Sequence, residues 1–295
     1  TSAELRQGSV VLRDLRLSGE GRLTGSKGSF PVRLTAGSLA VGNASIDSRL
    51  RNLVVDGRIQ RDGNALRIAP TAIRASGFTG QLDGQADLGG GAFALNLKGG
   101  FTGLEFQGLG RLDADAVLRL AKASRGAVAV SGTARASMRR LDIGFLRDLG
   151  GGLPVLNSDF SLGEQGRIAL RNLRVSAPAL SLAGNGTVDG RGMLAITAAG
   201  QHRSYGPLRI TLAGNAARPE VDLLLERPLP ALRLANVRAH LAPNERGYAV
   251  TAQGGSMLGP FQGEAAILMP AGGQASIALT NLGVGDVVVK GDIAP

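Results

Sequence analysis

The sequence predicts an all-β protein: an elongated, curved antiparallel sheet that forms a taco-like hydrophobic groove, with one short helix near 142–149. Three observations predict it. Apolar residues recur with a period of two, the spacing of a strand with one apolar face and one polar face. Gly, Asn, Asp and Pro clusters such as Asp62-Gly63-Asn64 and Asp189-Gly190 interrupt these runs every 10–14 residues. Glycine itself makes up 45 of 295 residues, about twice its ordinary share.

The elements follow in chain order. Phe93, Leu95 and Leu97 alternate with Ala94 and Asn96, and Leu112, Ala114, Ala116, Leu118 and Leu120 alternate with Asp113, Asp115, Val117 and Arg119. The stretch 141–149 is the one helical segment expected, with Asp142 as N-cap and Phe145, Leu146 and Leu149 on one face. Gly150-Gly151-Gly152 stops it and divides the chain into segments 1–149 and 150–295, read as one continuous groove. Beyond it, Leu194 and Ile196 lie on one strand. Leu208, Ile210 and Leu212 then alternate with Arg209, Thr211 and Ala213, and Val221, Leu223 and Leu225 with Asp222, Leu224 and Glu226. Roughly twenty strands fit this template. Helices do not alternate with them, so the sheet is expected to be an antiparallel meander.

A degenerate pattern, apolar-x-Gly-x-(small or apolar), recurs at Gly19, Gly57, Gly80, Gly132, Gly184, Gly214 and Gly263. Its spacing runs from 23 to 52 residues, too irregular for a fixed-length solenoid and unlike the ladders of a secreted β-solenoid adhesin. Glycine weakens a strand, so its repeated use on an apolar face marks bends where backbones approach.

Composition excludes several functions. With no Cys and two His, the chain offers no thiolate chemistry, and neither metal nor cofactor is expected. No G-x-S-x-G elbow is present, and Gly184-Asn-Gly186-Thr-Val-Asp-Gly190 precedes a strand where a dinucleotide loop needs a helix. Asp113 and Asp115 fit a solvated polar face better than an acid–base pair, so no catalytic residue is expected and the chain is read as a non-enzyme. No run of about 18 apolar residues exists to form a membrane-spanning helix. The chain opens on Thr1, as a piece or a processed product of a longer protein would.

The net charge is +10, concentrated in residues 1–74, which hold 12 basic and 6 acidic side chains. Nucleic-acid binding is not expected, because ten scattered aromatics and one two-turn helix supply neither a stacking platform nor a groove reader. The same scarcity of aromatics shapes the apolar face, which is built from Leu, Ile, Val and Ala. Such a face lines a trough suited to acyl chains, or closes on itself as an ordinary aliphatic core.

The run Leu173-Arg-Val-Ser-Ala-Pro-Ala-Leu-Ser-Leu-Ala-Gly-Asn-Gly-Thr-Val188 resembles the recurrent strand pair of TamB-like and AsmA-like proteins. Tyr205-Gly-Pro-Leu, a strand, a glycine and then Arg218-Pro-Glu-Val221 resemble TamB proteins of alphaproteobacterial type, and Gly254-Gly-Ser-Met-Leu-Gly-Pro-Phe261 follows the same pattern. The similarity is carried by residues 125–290 and, by rhythm alone, by 1–124. It implies an internal groove segment of a periplasmic protein anchored in the inner membrane through a part outside this chain. It implies phospholipid transport to the outer membrane, or a translocation and assembly module that serves protein secretion with an outer-membrane barrel partner.

The expected function is therefore a periplasmic, lipid-shielding conduit for phospholipid acyl chains between inner and outer membranes. The groove candidates are Phe93, Leu95, Leu97, Leu112, Leu118, Leu194, Ile196, Leu208, Ile210, Leu212, Leu223 and Leu225. The alternative is a scaffold that helps outer-membrane proteins insert by strand augmentation.

Overall fold

The computed structural model describes residues 2–7, 10–106, 110–122, 128–142, 144–163, 166–216, 218–229, 233–268, 276–285 and 287–289. The chain divides into two compact units, Thr1–Arg139 and Arg140–Pro295. Each carries an open, curved antiparallel sheet, so the all-β prediction holds.

In the first unit the strands are β1 (Ser2–Gln7), β2 (Val10–Ser18), β3 (Arg22–Thr24), β4 (Lys27–Ala40), β5 (Arg51–Asp62), β6 (Ala65–Ala75), β7 (Phe78–Asp87), β8 (Phe93–Phe106) and β9 (Gly110–Lys122). The unit ends within β10 (Val128–Leu141). Helix α1 (Ala44–Asp47) bridges β4 and β5. From β4 to β9 each strand pairs antiparallel with the next, while β4 also takes β2 and β3 on its other side.

The second unit opens with α2 (Gly144–Gly150), followed by β11 (Val155–Leu162), β12 (Ile168–Ala177), β13 (Leu180–Val188), β14 (Met193–His202) and β15 (Gly206–Asn215). The meander continues through β16 (Glu220–Leu225), β17 (Ala235–Asn244), β18 (Gly247–Ser256), β19 (Gly259–Leu268), β20 (Ser276–Val284) and β21 (Val287–Val289). Every pairing here joins consecutive strands.

The helices depart from the sequence reading. There are two among the described residues, and α1 was not expected. Its four residues are too few to show an apolar period, and the cap carries it: the Asn43 side chain accepts from the Ser45 and Ile46 amides. Asp47 then accepts from the Val41 amide at 2.8 Å, tying the helix to the end of β4. Helix α2 starts at Gly144, so Asp142 stands two residues ahead of it and is not its N-cap. Instead its carboxylate accepts from Arg140 Nε at 2.7 Å. The expected face of Phe145 and Leu146 lies outside the described side chains. The glycine stop is present: Gly151 has φ 64°, and the amides of Gly151 and Gly152 return to the carbonyls of Asp148 and Arg147.

Antiparallel register places directly opposite residues on one face. In the second unit this aligns Ala198, Ile210, Leu223, Ala239, Ala252 and Gly263 across six strands, and beside them Ile196, Leu212, Val221, Leu241 and Val250. Bulges add twist. At Asn172 (φ 52°) and Asn236 (φ 50°) the register shifts, and the left-handed backbone there suits an Asx side chain. The Asn172 amide group donates to Asp159 Oδ2 at 2.6 Å on the neighbouring strand, and the Asn172 backbone N–H donates to Asn185 Oδ1 at 3.0 Å.

Glycines sit within this face where strands lean over it. A Cβ on Gly200 would run into the Ser181 carbonyl, and one on Gly184 into the Thr197 carbonyl. A Cβ on Gly132 in β10 would meet the Val117 carbonyl in the same way, one on Gly57 would meet Thr71, and one on Gly19 would lie 2.6 Å from the Pro31 oxygen. A Cβ on Gly80 would lie 2.8 Å from the Phe78 ring and 3.0 Å from the Lys98 oxygen. The remaining two sites differ. Gly214 has open space and a φ of 82°, so backbone conformation selects it, and a Cβ on Gly263 would have Leu282 Cδ1 nearest, at 3.3 Å.

No described side chain is more than 98% buried. The buried apolar residues are Ala36, Leu50, Leu53, Leu104 and Met138 in the first unit and Leu141, Ala198 and Leu208 in the second. Sheet ladders therefore hold each unit, and the aliphatic face is covered only in part.

Replacing Gly200 by Val should test the bends. The added side chain has no room against β13, so stability should fall by about 1–3 kcal/mol. Gly263→Ala should change it by less than about 1 kcal/mol, because one flexible Leu282 methyl can move. Urea midpoints of the two variants should separate in that order.

Candidate functional site

The sequence-predicted apolar residues converge on the sheet faces. In the first unit Leu95 pairs with Gly84 and Leu120, Leu97 with Leu82 and Leu118, and Phe93 with Ala86. Leu112 pairs with Leu104 beyond a register shift between Phe101 and Leu104. In the second unit Leu208 faces Gly200 and Leu225, Ile210 faces Ala198 and Leu223, Leu212 faces Ile196 and Val221, and Leu194 faces Gly214. Of the twelve candidates, eleven are half-buried and Leu208 is buried.

The opposite faces are polar. Arg209 is exposed and approaches Glu226 at 3.9 Å, and Thr211, Asp222, His240 and Thr251 align across β15–β18. The sequence reading missed several members of the first apolar face: Phe30, Ile59 and Ile68 occupy one cross-strand row with Gly84 and Leu95. Shifts between Asp56 and Ile59 and between Ile68 and Thr71 break the period of two, so alternation alone could not place them. The short alternation Leu66-Arg67-Ile68 was the available signal.

Three polar constellations lie among the described residues. His202 is 6% exposed. Its Nδ1 accepts from the Ser204 and Tyr205 amides at 3.1 Å, so the proton sits on Nε2, which donates to the Leu149 carbonyl at 2.7 Å. The imidazole stacks on Tyr205 with centroids 4.4 Å apart. It ties the end of α2 to the β14–β15 turn, and both nitrogens are spent on backbone.

Asp113 accepts from the Gly103 amide at 2.8 Å and from Arg139 Nε at 2.7 Å. The Gly103 amide first, and Arg139 next, hold its carboxyl below the usual carboxylate range. Asp113 thus braces a bulge, while Asp115 is exposed on the same strand.

His240 stands between Asp222 (Nδ1···Oδ1 2.8 Å) and Glu220 (Nε2···Oε1 3.5 Å). Its hydrogen bond to Asp222 raises its pKa, with the charges of Asp222 and Glu220 adding to this. These three ligand atoms lie within 4.8 Å of one another, the one such donor set among the described residues. Both imidazole nitrogens face a carboxylate, which suits an imidazolium held by two anions on an exposed polar face.

No helix is long and apolar enough to cross a membrane among the described residues. A scan against protein-family models, a search of curated proteins and a search of solved structures each return no match.

The His240 pair sets a pH dependence. The raised folded pKa means that the charged imidazole contributes stability fully below about pH 6.5, its unfolded value, and loses it as pH rises through the higher folded value. Asp113 acts in the opposite sense: its contribution is present above about pH 3.8 and is lost as pH falls through its lower folded value. Urea unfolding from pH 5 to 9 should show a decline that His240→Asn removes. A decline of equal size in that variant would rule out the pairing as its cause.

Proposed function

We propose that this protein is a periplasmic conduit segment whose aliphatic faces shelter phospholipid acyl chains between the inner and outer membranes. The observation that carries the reading is that aliphatic rows line up across many strands yet remain half-exposed. An acyl chain needs apolar contact and no hydrogen bonds, and these rows offer that. Each CH₂ left in water costs about 0.8 kcal/mol, so a two-chain lipid needs cover along an aqueous path. The polar faces keep the other side wetted. On this reading the protein acts by shielding and carries out no chemistry, with no cofactor, metal or nucleic acid involved. Its resemblance to TamB-like proteins over residues 125–290 supports a periplasmic setting, anchored through a part outside this chain.

A second reading is a scaffold for outer-membrane protein insertion, in which an edge strand of the sheet templates a client strand and a barrel partner takes part. Lipid extraction and mass spectrometry of the purified protein separate the two, since the conduit retains phospholipid and the scaffold does not.

A photocrosslinker at Ile210 should capture phospholipid in cells, and one at Arg209, on the opposite face, should not. Ile210→Glu should block lipid passage by placing a charge among the tails. It should leave the protein folded, because the half-exposed position lets the carboxylate reach water. Collapse of the fold on Ile210→Glu, together with no lipid captured at either position, would show a sealed core and end the conduit reading.

A further inference from the structure

In the first unit a cleft of about 940 Å³ opens at the ends of β4–β8. It is centred on the cross-strand row Gly28, Arg61, Leu66, Ala86 and Phe93, and the residues flanking each of these, with Thr24, complete its lining. Two small residues, Gly28 and Ala86, leave the hollow.

Arg61 is the charged member of this row. It is half-buried, and its Nε donates to the Gly63 carbonyl in the β5–β6 turn at 2.9 Å. That bond anchors the guanidinium, while its two terminal nitrogens have no protein partner among the described residues. The next row toward the strand centres, about 7 Å away by strand rise, is the apolar row that contains Phe30, Ile59, Ile68 and Leu95. A cation at the strand ends thus adjoins an aliphatic surface.

The charges around the cleft favour an anion. Lys27, Arg61 and Arg67 line it against Asp62 and Asp87. Asp62 is engaged by Lys27 at 3.1 Å, and Asp87 accepts from the Gly89 and Gly90 amides at 3.0 and 2.9 Å. Arg67 alternates with Leu66 and Ile68 onto the opposite face, so Arg61 is the cation left to attract a ligand, and guanidinium binds phosphate through paired N–H donors.

We propose that this cleft is a phospholipid headgroup site, in which Arg61 holds the lipid phosphate while the acyl chains lie over Ile59, Ile68 and Leu95. The inference rests on the conduit reading and adds to it a recognition element for the phosphate of the cargo.

Three probes test it on the full chain: dihexanoylphosphatidylglycerol, which has phosphate and tails; dihexanoylglycerol, which has tails alone; and glycerol 3-phosphate, which has phosphate alone. The wild-type protein should bind the phospholipid more tightly than either part. Arg61→Gln should weaken phospholipid binding about tenfold, the loss of one charged hydrogen-bond pair, and leave dihexanoylglycerol unchanged. Arg61→Lys should restore part of the loss, and circular dichroism should show both variants folded. Unchanged phospholipid affinity in Arg61→Gln would overturn the headgroup site and leave the conduit reading standing. Failure of the wild-type protein to bind either tailed probe would overturn both. Binding of glycerol 3-phosphate as tight as the phospholipid would mark a free-anion site and overturn the proposal.

Discussion

The whole arrangement depends on register. In a sheet with a side-chain period of two, a slip of one residue between neighbouring strands moves an entire apolar set to the wet face. Ile210 is apolar-side because it stands opposite both Ala198 and Leu223, and each of those is fixed by its own next neighbour. Tight connections such as the Asp62–Ala65 hairpin set this register locally. Where a bulge interrupts it, as at Asn172, side-chain hydrogen bonds to Asp159 and from the backbone to Asn185 pin the irregularity in place.

A closed core is therefore not what holds these sheets. Their cohesion comes from backbone ladders and from cross-strand contacts between half-covered aliphatics, each a modest contribution of roughly 0.2–1 kcal/mol. The glycines on the apolar face deepen this character. At Gly184 and Gly200 the absence of a side chain lets the backbone of the adjacent strand come close, at the expense of packed volume.

The strands were legible because alternation is a short-range signal. Leu208-Arg209-Ile210-Thr211-Leu212 carries its two faces on its own surface, and the residues it pairs with carry the same pattern. The same holds for Gly184, whose apolar-x-Gly neighbourhood marked a bend. Other features needed information that no local window contains. The period fails at Ile59 and Ile68 because bulges insert an extra residue, and α1 is too short to show a period at all. Asp142 satisfied the composition of a cap, but the helix begins later and Arg140 takes its carboxylate. The role of His202 is not visible in a local window, since its three partners come from Leu149 and from the turn that follows it. Arg61 reads as one of many surface arginines until register places it in line with Leu66 and Phe93.

In the second unit, among the described residues, every strand pairs only with its sequence neighbours. Such a sheet has low contact order, so each hairpin can form on the one before it as the chain emerges, without waiting for distant segments. It also makes length an adjustable quantity. Inserting two strands and their turns at any hairpin returns the chain to the same rim, running in the same direction, with every apolar residue still on its original side. A closed barrel or sandwich has no such freedom, because each added strand must be reconciled with closure. The span of a meander like this one can thus be retuned in evolution by duplication of hairpins, one pair at a time, with no redesign of the parts already present.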